Sequence, residues 1–166
     1  MAFNLFKKKK QAANFEIVAP VNGDIIPLEE VPDPVFNQKM MGEGIAITPS
    51  DGHFLSPVNG KIIQIPDTKH AVGILAEDGS EILIHIGLET VALKGEGFEA
   101  KVKVGDEVSV GQVLIEADLE YLREHADNIV TPIIITNSQN NGKAYKMTDE
   151  KKGTAGETVI ITTTDK

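Results

Sequence analysis

Short apolar runs alternate with turn residues along most of the chain, and this pattern predicts an all-β protein. The runs are strand-sized and rich in Val and Ile, as at 82–84 and 133–135. Gly, Pro, Asn and Asp interrupt them at intervals of roughly ten residues, which is typical of an antiparallel β-sandwich or barrel. Partial helical spacing occurs at 118–128, where Asp118 could cap a short helix. We therefore expect strands throughout and at most short helices.

Two segments of the sequence repeat each other, which indicates a duplicated β unit. Ala-Pro-Val-Asn-Gly at 19–23 matches Ser-Pro-Val-Asn-Gly at 56–60, and each leads into a β-branched run. Downstream, 44–52 and 70–79 both have the pattern of a strand that ends in an Asp-Gly turn. A third echo begins at Thr131. We expect two related units folded against each other within one domain, 15–166, which follows a basic and flexible N-terminal segment, 1–14.

The composition limits both the chemistry and the compartment. The chain has 166 residues, no cysteine and a formal net charge of −9, so its chemistry must come from histidine, carboxylates or hydroxyls. An acidic body disfavours nucleic acid as a partner. An apolar stretch precedes Lys7 to Lys10, the reverse of a secretory signal, so we expect a cytoplasmic protein. The terminus could contact anionic lipid at the inner face of the membrane, or it could be a basic tail that only aids solubility.

Two histidines, His70 and His85, flank a predicted hairpin turn. If the hairpin closes with a two-residue Asp78-Gly79 loop, His85 faces Val72 and His70 lies two residues further along. Diagonal neighbours of this kind share a face of the sheet and lie about 7–8 Å apart. Either ring could instead be an ordinary core or edge histidine. Their shared face, and the bare backbone at Gly87, favour a functional pair.

A neutral imidazole offers one nitrogen lone pair, which suits either nucleophilic attack or metal binding. Phosphoryl transfer requires mainly positioning and hydrogen-bond donors, and Thr68 could supply a hydroxyl on the same face. A zinc hydrolase requires three protein ligands, and no His-x-His or His-Glu-x-x-His motif occurs. His53 and His125 have the polar contexts of surface residues. No Gly-x-Ser-x-Gly elbow or phosphate-binding Gly-rich loop supports an acylating hydrolase or a kinase.

A loop-like stretch at 31–44 carries several apolar side chains. Exposed apolar groups with adaptable methionines are typical of a surface that docks partner proteins. The alternative is that these side chains simply cover the core. The apolar residues of the stretch that we consider are Val35, Phe36, Met40 and Met41.

Several short motifs stand in a fixed order along the chain. They are Val-Pro-Asp-Pro-Val-Phe at 31–36, Lys-Met-Met-Gly-Glu-Gly-Ile-Ala-Ile at 39–47, Pro-Val-Asn-Gly at 57–60, Thr-Lys-His-Ala at 68–71, Glu-Ile-Leu-Ile-His-Ile-Gly-Leu-Glu-Thr-Val at 81–91 and Leu-Lys-Gly-Glu-Gly-Phe at 93–98. Together they resemble the glucose-type enzyme IIA of the bacterial sugar phosphotransferase system. The likeness runs from about residue 17 to residue 162.

The resemblance implies an antiparallel β-sandwich with an internally duplicated motif, acting as a phosphocarrier that requires no cofactor. It would accept a phosphoryl group from the histidine-containing phosphocarrier protein and pass it to the IIB domain of a glucose-type permease. His85 would be phosphorylated through Nε2, His70 would stabilise the transferred group, and the Thr68 hydroxyl would hydrogen-bond nearby. The partner-docking rim implied by the resemblance consists of Val35, Phe36, Met40, Met41, Glu89 and Val91.

The resemblance also implies that His70 and His85 can share a zinc ion with a carboxylate of a regulated partner, such as a transporter or a metabolic enzyme. Glu89 departs from the family pattern, because many members have aspartate there. We expect a free-standing subunit without fused permease domains. Two alternative functions stay open: a zinc-dependent peptidase-like β protein that uses the same two imidazoles, and a purely regulatory binding module.

Overall fold

Fourteen short strands and two short helices form within residues 14–166, the part of the chain that the computed structural model describes. The basic N-terminal segment and its expected contact with lipid lie outside the described residues. The strands are β1 (Phe15–Val18), β2 (Gly23–Pro27), β3 (Glu43–Pro49), β4 (His53–Leu55), β5 (Gly60–Gln64), β6 (Ala71–Ala76), β7 (Glu81–His85), β8 (Phe98–Ala100), β9 (Glu107–Val108), β10 (Val113–Ala117), β11 (Thr131–Ile135), β12 (Lys143–Met147), β13 (Lys152–Gly153) and β14 (Val159–Asp165). The helices are α1 (Pro34–Asn37) and α2 (Leu119–His125), and 3₁₀ turns form at Leu28–Glu30 and Thr90–Leu93.

The strands of residues 14–166 pair only in antiparallel fashion and form three sheets. The largest sheet has the order β13-β2-β3-β11-β7-β6-β5-β9, and the smaller ones are β1-β14-β12 and β4-β10-β8. The predicted all-β class with short helices is confirmed, and no closed barrel forms among the described strands. No helix in this part of the chain has the length and apolar character needed to cross a bilayer.

The sequence repeat corresponds to mirrored positions in the largest sheet. The two Asn-Gly turns begin β2 and β5, which pair with β3 and β6 respectively. β2 and β3 are second and third from one edge, and β5 and β6 hold the same places at the other edge. The echo at Thr131 forms β11, whose counterpart in this arrangement is β7. The duplication therefore places β7 and β11 side by side at the centre.

Both faces of this central pair carry apolar side chains, because residues of a strand alternate between the two faces. Ile82 and Ile84 of β7 enter the main core together with Ile133 and Ile135 of β11. On the opposite face, Leu83 packs against a smaller cluster that α1 and the first 3₁₀ turn help to build. The buried members of this second cluster are Leu28, Val31, Phe36, Ala46, Leu88, Val130 and Ile134. His85 follows Leu83 on the same face, so its side chain stands beside the second cluster rather than in the main core.

Candidate functional site

The hairpin that carries the histidine pair differs in register from the sequence prediction. Its loop contains three residues, 77–79, because the Ala76 amide already donates a 2.8 Å hydrogen bond to the Ser80 carbonyl. Gly79 adopts a φ of 93°, which fits a three-residue loop with a left-handed glycine. His85 consequently pairs with Ala71, and Val72 pairs with Ile84. The predicted pairing of His85 with Val72 is therefore wrong by one residue.

The two imidazoles nevertheless meet. Their ring centroids lie 4.9 Å apart with an interplanar angle of 80°, which is an edge-to-face arrangement. His70 lies just before β6 and follows Lys69, which has a φ of 56°. Because His70 is outside the regular strand, the alternation of strand faces does not fix the direction of its side chain. The small Ala71 side chain opposite His85 leaves room for the neighbouring ring.

A backbone carbonyl fixes the tautomer of His85. Its Nδ1 atom lies 2.8 Å from the Gly87 carbonyl oxygen. A carbonyl can only accept a hydrogen bond, so Nδ1 carries the proton and the neutral ring keeps its lone pair on Nε2. In the neutral ring, Nε2 is therefore the nitrogen of His85 that is free to act as an acceptor or a ligand.

Gly87 is required for this contact. Its φ is 75°, a conformation that side chains other than glycine rarely adopt. A Cβ atom at this position would lie 2.7 Å from Thr90 Cγ2 and 3.0 Å from the Asn128 carbonyl oxygen. Thr90 is fully buried and donates a hydrogen bond of 2.6 Å to the Ile86 carbonyl. Thr90 and Asn128 thus pack closely around the turn after β7, and the Gly87 carbonyl of this turn orients His85.

Thr68 makes the corresponding contact to His70. The Thr68 Oγ1 atom lies 2.6 Å from His70 Nδ1, and His70 is only 8% exposed. If the hydroxyl donates to Nδ1, the His70 proton stays on Nε2, where it can serve as a hydrogen-bond donor. The structure thus brings together Thr68, His70 and His85.

Burial keeps both rings in their neutral form. The pKa of His70 is lowered from 6.5 to about 4. Burial is the larger cause, and the neighbouring His85 is the smaller one. Burial also lowers the pKa of His85, although the hydrogen bond to Gly87 and the charges of Asp33 and Glu89 act in the opposite direction. Both imidazoles are therefore uncharged at neutral pH.

The predicted docking rim is exposed only in part. Val35, Met40 and Val91 are 40%, 70% and 52% exposed, and Glu89 is also exposed. Met41 is half-buried against the second cluster. Phe36 differs from the prediction, because it is 4% exposed and its ring centroid lies 5.1 Å from that of His85. Phe36 forms an apolar wall of the site rather than part of its rim.

Sequence reasoning missed one charged neighbour of His85. Asp33 caps the N-terminus of α1, where its carboxylate accepts a 2.9 Å hydrogen bond from the Val35 amide. Its charge acts on His85 together with that of Glu89. The sequence signal for this position is the Asp-Pro pair at 33–34, because aspartate is favoured at an N-cap and proline at the first helical position.

The remaining histidines stand apart from the pair. The Nδ1 atom of His53 lies 3.2 Å from the exposed Glu116 carboxylate, and His125 stacks on Tyr121 at the end of α2. Among residues 14–166, no group of three or more His, Cys, Asp or Glu side chains is arranged to hold a metal ion. A zinc hydrolase needs three protein ligands, so the peptidase alternative is not favoured.

Fold and site together define an antiparallel β protein with a pair of adjacent, largely buried and neutral histidines. A family model described as "phosphoenolpyruvate-dependent sugar phosphotransferase system, EIIA 1" matches residues 15–141. The chain is 51% identical over 166 residues to a glucose-specific EIIA component of Halalkalibacterium halodurans, covering 96% of this chain and 94% of the relative. It is 52% identical over 161 residues to that of Oceanobacillus iheyensis, covering 95% and 96%.

A solved structure supports the same assignment. Glucose permease IIA from Mycoplasma capricolum superimposes with a TM-score of 0.83 at 41% identity, covering 90% of this chain and 95% of that chain. The chain therefore belongs to the EIIA family of the phosphoenolpyruvate-dependent sugar phosphotransferase system. It is a phosphocarrier that relays phosphoryl groups, and its partners are phosphocarrier and permease components of that system. A purely regulatory binding role is not favoured.

Proposed function

We propose that His85 accepts the phosphoryl group on Nε2 from the histidine-containing phosphocarrier protein and passes it to the IIB domain of a glucose-type permease. The observation that carries this proposal is the hydrogen bond between His85 Nδ1 and the Gly87 carbonyl, which leaves the Nε2 lone pair free. The same hydrogen bond stabilises the positive charge that the His85 imidazole acquires when Nε2 attacks phosphorus. A second, neutral imidazole 4.9 Å away suits a centre that handles a multiply charged anion.

The transfer exchanges one phosphorus–nitrogen bond for another. His85 Nε2 donates its electron pair to phosphorus, while the phosphorus–nitrogen bond of the donor phosphohistidine breaks and its electron pair returns to the donor imidazole. In onward transfer, a nucleophile of the IIB domain attacks phosphorus, the bond between phosphorus and His85 Nε2 breaks, and its electron pair returns to the His85 imidazole. Such a reaction depends on in-line positioning and on donors for the equatorial oxygens.

His70 supplies one of these donors in our proposal. Thr68 donates its hydroxyl hydrogen to His70 Nδ1 across 2.6 Å, so the Nε2–H group of His70 can face an equatorial oxygen. Because burial lowers the pKa of His70 to about 4, the ring donates as a neutral group and needs no change of charge during the reaction. Removing a single preorganised donor of this type typically slows a reaction by about 10²–10³.

The exposed apolar residues around the pair suit a protein partner. Val35, Met40 and Val91 offer flexible or branched apolar surface, and Phe36 lines the centre beneath them. When a partner covers this surface, water is excluded from the phosphoryl group, which protects a labile phosphohistidine. We propose that Val35, Met40, Met41 and Val91, with Glu89, dock both the donor and the acceptor protein.

Intact mass spectrometry of the full chain tests this function. After incubation with the phosphorylated carrier and its phosphoenolpyruvate-driven upstream enzyme, the protein should gain one phosphoryl group. His85→Gln should gain none, whereas His53→Gln and His125→Gln should behave as the unchanged protein. His70→Ala should still be phosphorylated at His85, but about 10²-fold more slowly. Phosphorylation of His85→Gln at the normal rate would rule out the assignment.

Zinc enters this proposal only as an accessory ion. Two imidazoles supply two of the four ligands that zinc usually takes. We therefore propose zinc binding at His70 and His85 only in a complex where a regulated partner contributes the remaining ligands. Isothermal titration of the isolated chain with zinc should show no tight site at this pair, and tight binding without a partner would contradict this view.

A further inference from the structure

We propose that the hydrogen bond between Tyr121 and Glu96 positions Thr68, and through it His70, by holding the loop 94–97 against the turn 66–69. Glu96 and Tyr121 are therefore positioning residues for phosphoryl transfer, although neither reaches the reacting atoms. This inference rests on the proposed role of the histidine pair and extends it to a part of the molecule built by α2.

The loop needs outside support because of its backbone. Lys94, Gly95 and Gly97 have φ angles of 56°, 91° and 87°, so three of its four residues are in left-handed conformations. The lysine conformation is unfavourable for a residue with a side chain, and such conformations persist only where the surroundings enforce them. Within the loop, the only regular backbone bonds are turn contacts such as Glu96 N to Leu93 O at 3.1 Å.

Helix α2 holds one side of the loop. The Tyr121 hydroxyl donates a 2.5 Å hydrogen bond to the Glu96 carboxylate, and this bond raises the pKa of Tyr121, so the phenol stays protonated. The Tyr121 ring packs on Gly97, where a Cβ atom would lie 2.8 Å from the ring atom Cδ2. The Asp118 amide, at the start of the helix, donates to the Gly97 carbonyl at 2.8 Å. The helix therefore contacts the loop through both side chains and backbone.

The other side of the loop faces the turn that carries Thr68. A Cβ atom placed on Gly95 would lie 3.7 Å from the Asp67 carbonyl oxygen and 3.9 Å from that of Thr68. This turn closes with a 2.9 Å bond from the Lys69 amide to the Pro66 carbonyl. The next contact along the chain is the 2.6 Å contact between Thr68 Oγ1 and His70 Nδ1. Gly95 therefore lies next to this turn, so that α2, the loop, the turn and His70 are neighbours in that order.

A small movement of the loop can affect His70, because the strength of a hydrogen bond depends on its geometry. Bonds between hydroxyl and nitrogen groups weaken steeply when the atoms separate or lose alignment. If the loop relaxes away from the turn, Thr68 can rotate and the His70 tautomer is no longer fixed. A misplacement of about 1 Å at a reacting centre can cost as much as about 10²-fold in rate. We expect a partial loss of positioning to slow transfer about tenfold.

The experiment uses the full chain with Tyr121→Phe, Glu96→Ala and the combination of both. Tyr145→Phe is the matched control, because it removes the hydroxyl of the only other tyrosine, which hydrogen-bonds to Ser80 at the far end of β7. Two readouts are compared: the initial rate at which the phosphorylated carrier protein phosphorylates His85, and the nitrogen-15 NMR signals of the His70 ring in the unphosphorylated protein. The second readout reports tautomer and hydrogen bonding, which a merely stabilising role would not change.

We expect both single variants to slow transfer about tenfold and to shift the His70 signals, while Tyr145→Phe does neither. The double variant should be no slower than the singles, because the residues act through one bond. In a Thr68→Val background, Tyr121→Phe should cause no further slowing. Unchanged His70 signals, or equal slowing in Tyr145→Phe, would overturn the inference. If the unaltered protein accepts no phosphoryl group, the proposed function fails, whereas the His70 signals still decide the positioning role.

Discussion

Burial, rather than a neighbouring charge, is the main cause that keeps His70 uncharged. The ring is 8% exposed, and its pKa falls from 6.5 to about 4. His85 has a lowered pKa for the same primary reason. At the scale of single residues, the site is therefore a pair of neutral bases that can face each other without repulsion. Protonation of either ring would place a positive charge beside the other.

This shift predicts how stability depends on pH. Between pH 6.5 and about 4, His70 binds a proton in the unfolded chain but not in the folded one. Stability is therefore complete above pH 6.5 and decreases as the pH falls towards 4. We expect the unchanged protein to lose more free energy of unfolding between pH 7 and pH 5 than His70→Gln does, as measured by urea denaturation.

The exposed His125 provides the control for this prediction. His125→Gln should show the same decrease between pH 7 and pH 5 as the unchanged protein, because its ring is solvent-accessible. The acidic residues are identical in all three proteins, so the difference between their pH profiles reports on the substituted histidine. Identical pH profiles for His70→Gln and the unchanged protein would contradict the buried, neutral state of His70.

At the scale of elements, the turn after β7 determines where His85 points. Gly87→Ala places a Cβ atom 2.7 Å from Thr90 Cγ2 in a backbone of positive φ. We expect this change to destabilise the protein by about 1–3 kcal/mol and to slow transfer to His85. Urea denaturation and the phosphorylation rate measure the two effects.

A second glycine separates backbone strain from steric conflict. Gly79 also has a positive φ of 93°, but a Cβ atom there would meet nothing within 4 Å. Gly79→Ala should therefore be less destabilising than Gly87→Ala and should leave the transfer rate unchanged. Equal losses of stability in the two variants would show that the contact with Thr90 is unimportant.

Helix α1 contributes the apolar wall of the site. Phe36 belongs to the second cluster and packs against the His85 ring. We expect Phe36→Ala to lose about 3–5 kcal/mol of stability, because it removes a buried aromatic side chain and leaves a cavity. Val35→Ala, next to it but 40% exposed, should lose less than about 1 kcal/mol. Thermal or urea denaturation distinguishes these outcomes, and comparable losses would contradict the burial of Phe36.

Element types were more predictable from the sequence than their boundaries. The helix predicted at 118–128 is observed at Leu119–His125, and Asp118 caps it by accepting a 3.1 Å bond from the Tyr121 amide. The sequence of α1 predicts a loop instead of a helix, because four residues are too few to show helical periodicity. The hairpin register was wrong because Glu77 joins the loop instead of the strand, and loop length cannot be fixed by Asp-Gly alone. His70 still reaches His85 because it lies outside β6.

At the scale of the whole molecule, the duplication yields two related units but one histidine centre. Aligning the Asp-Gly turns at 51–52 and 78–79 places Gly44 opposite Ala71 and Glu43 opposite His70. Gly44 pairs with Ile134, as Ala71 pairs with His85. The position related to His85 is therefore Ile134, which is fully buried. The repeat thus supports the sheet, while only one of its copies carries the histidine pair.

The site was predictable only where short stretches of sequence carry it. Thr68 and His70 are two residues apart in the chain, and so are His85 and Gly87. The neighbours of these residues across the fold were not predictable, because Asp33 and the bond between Glu96 and Tyr121 depend on how distant segments pack. Phe36 also could not be placed from its sequence alone, since an apolar residue in a loop-like stretch can either cover the core or face solvent.

The most direct test of the proposed phosphoryl transfer is to determine by NMR which nitrogen atom becomes bonded to phosphorus. Nitrogen-15-labelled protein, incubated with the phosphorylated carrier component, should show one-bond coupling between phosphorus and Nε2 of His85. Nδ1 of the same ring should keep its proton and its hydrogen bond to the Gly87 carbonyl. Coupling to Nδ1 of His85, or to either nitrogen of His70, would contradict the account.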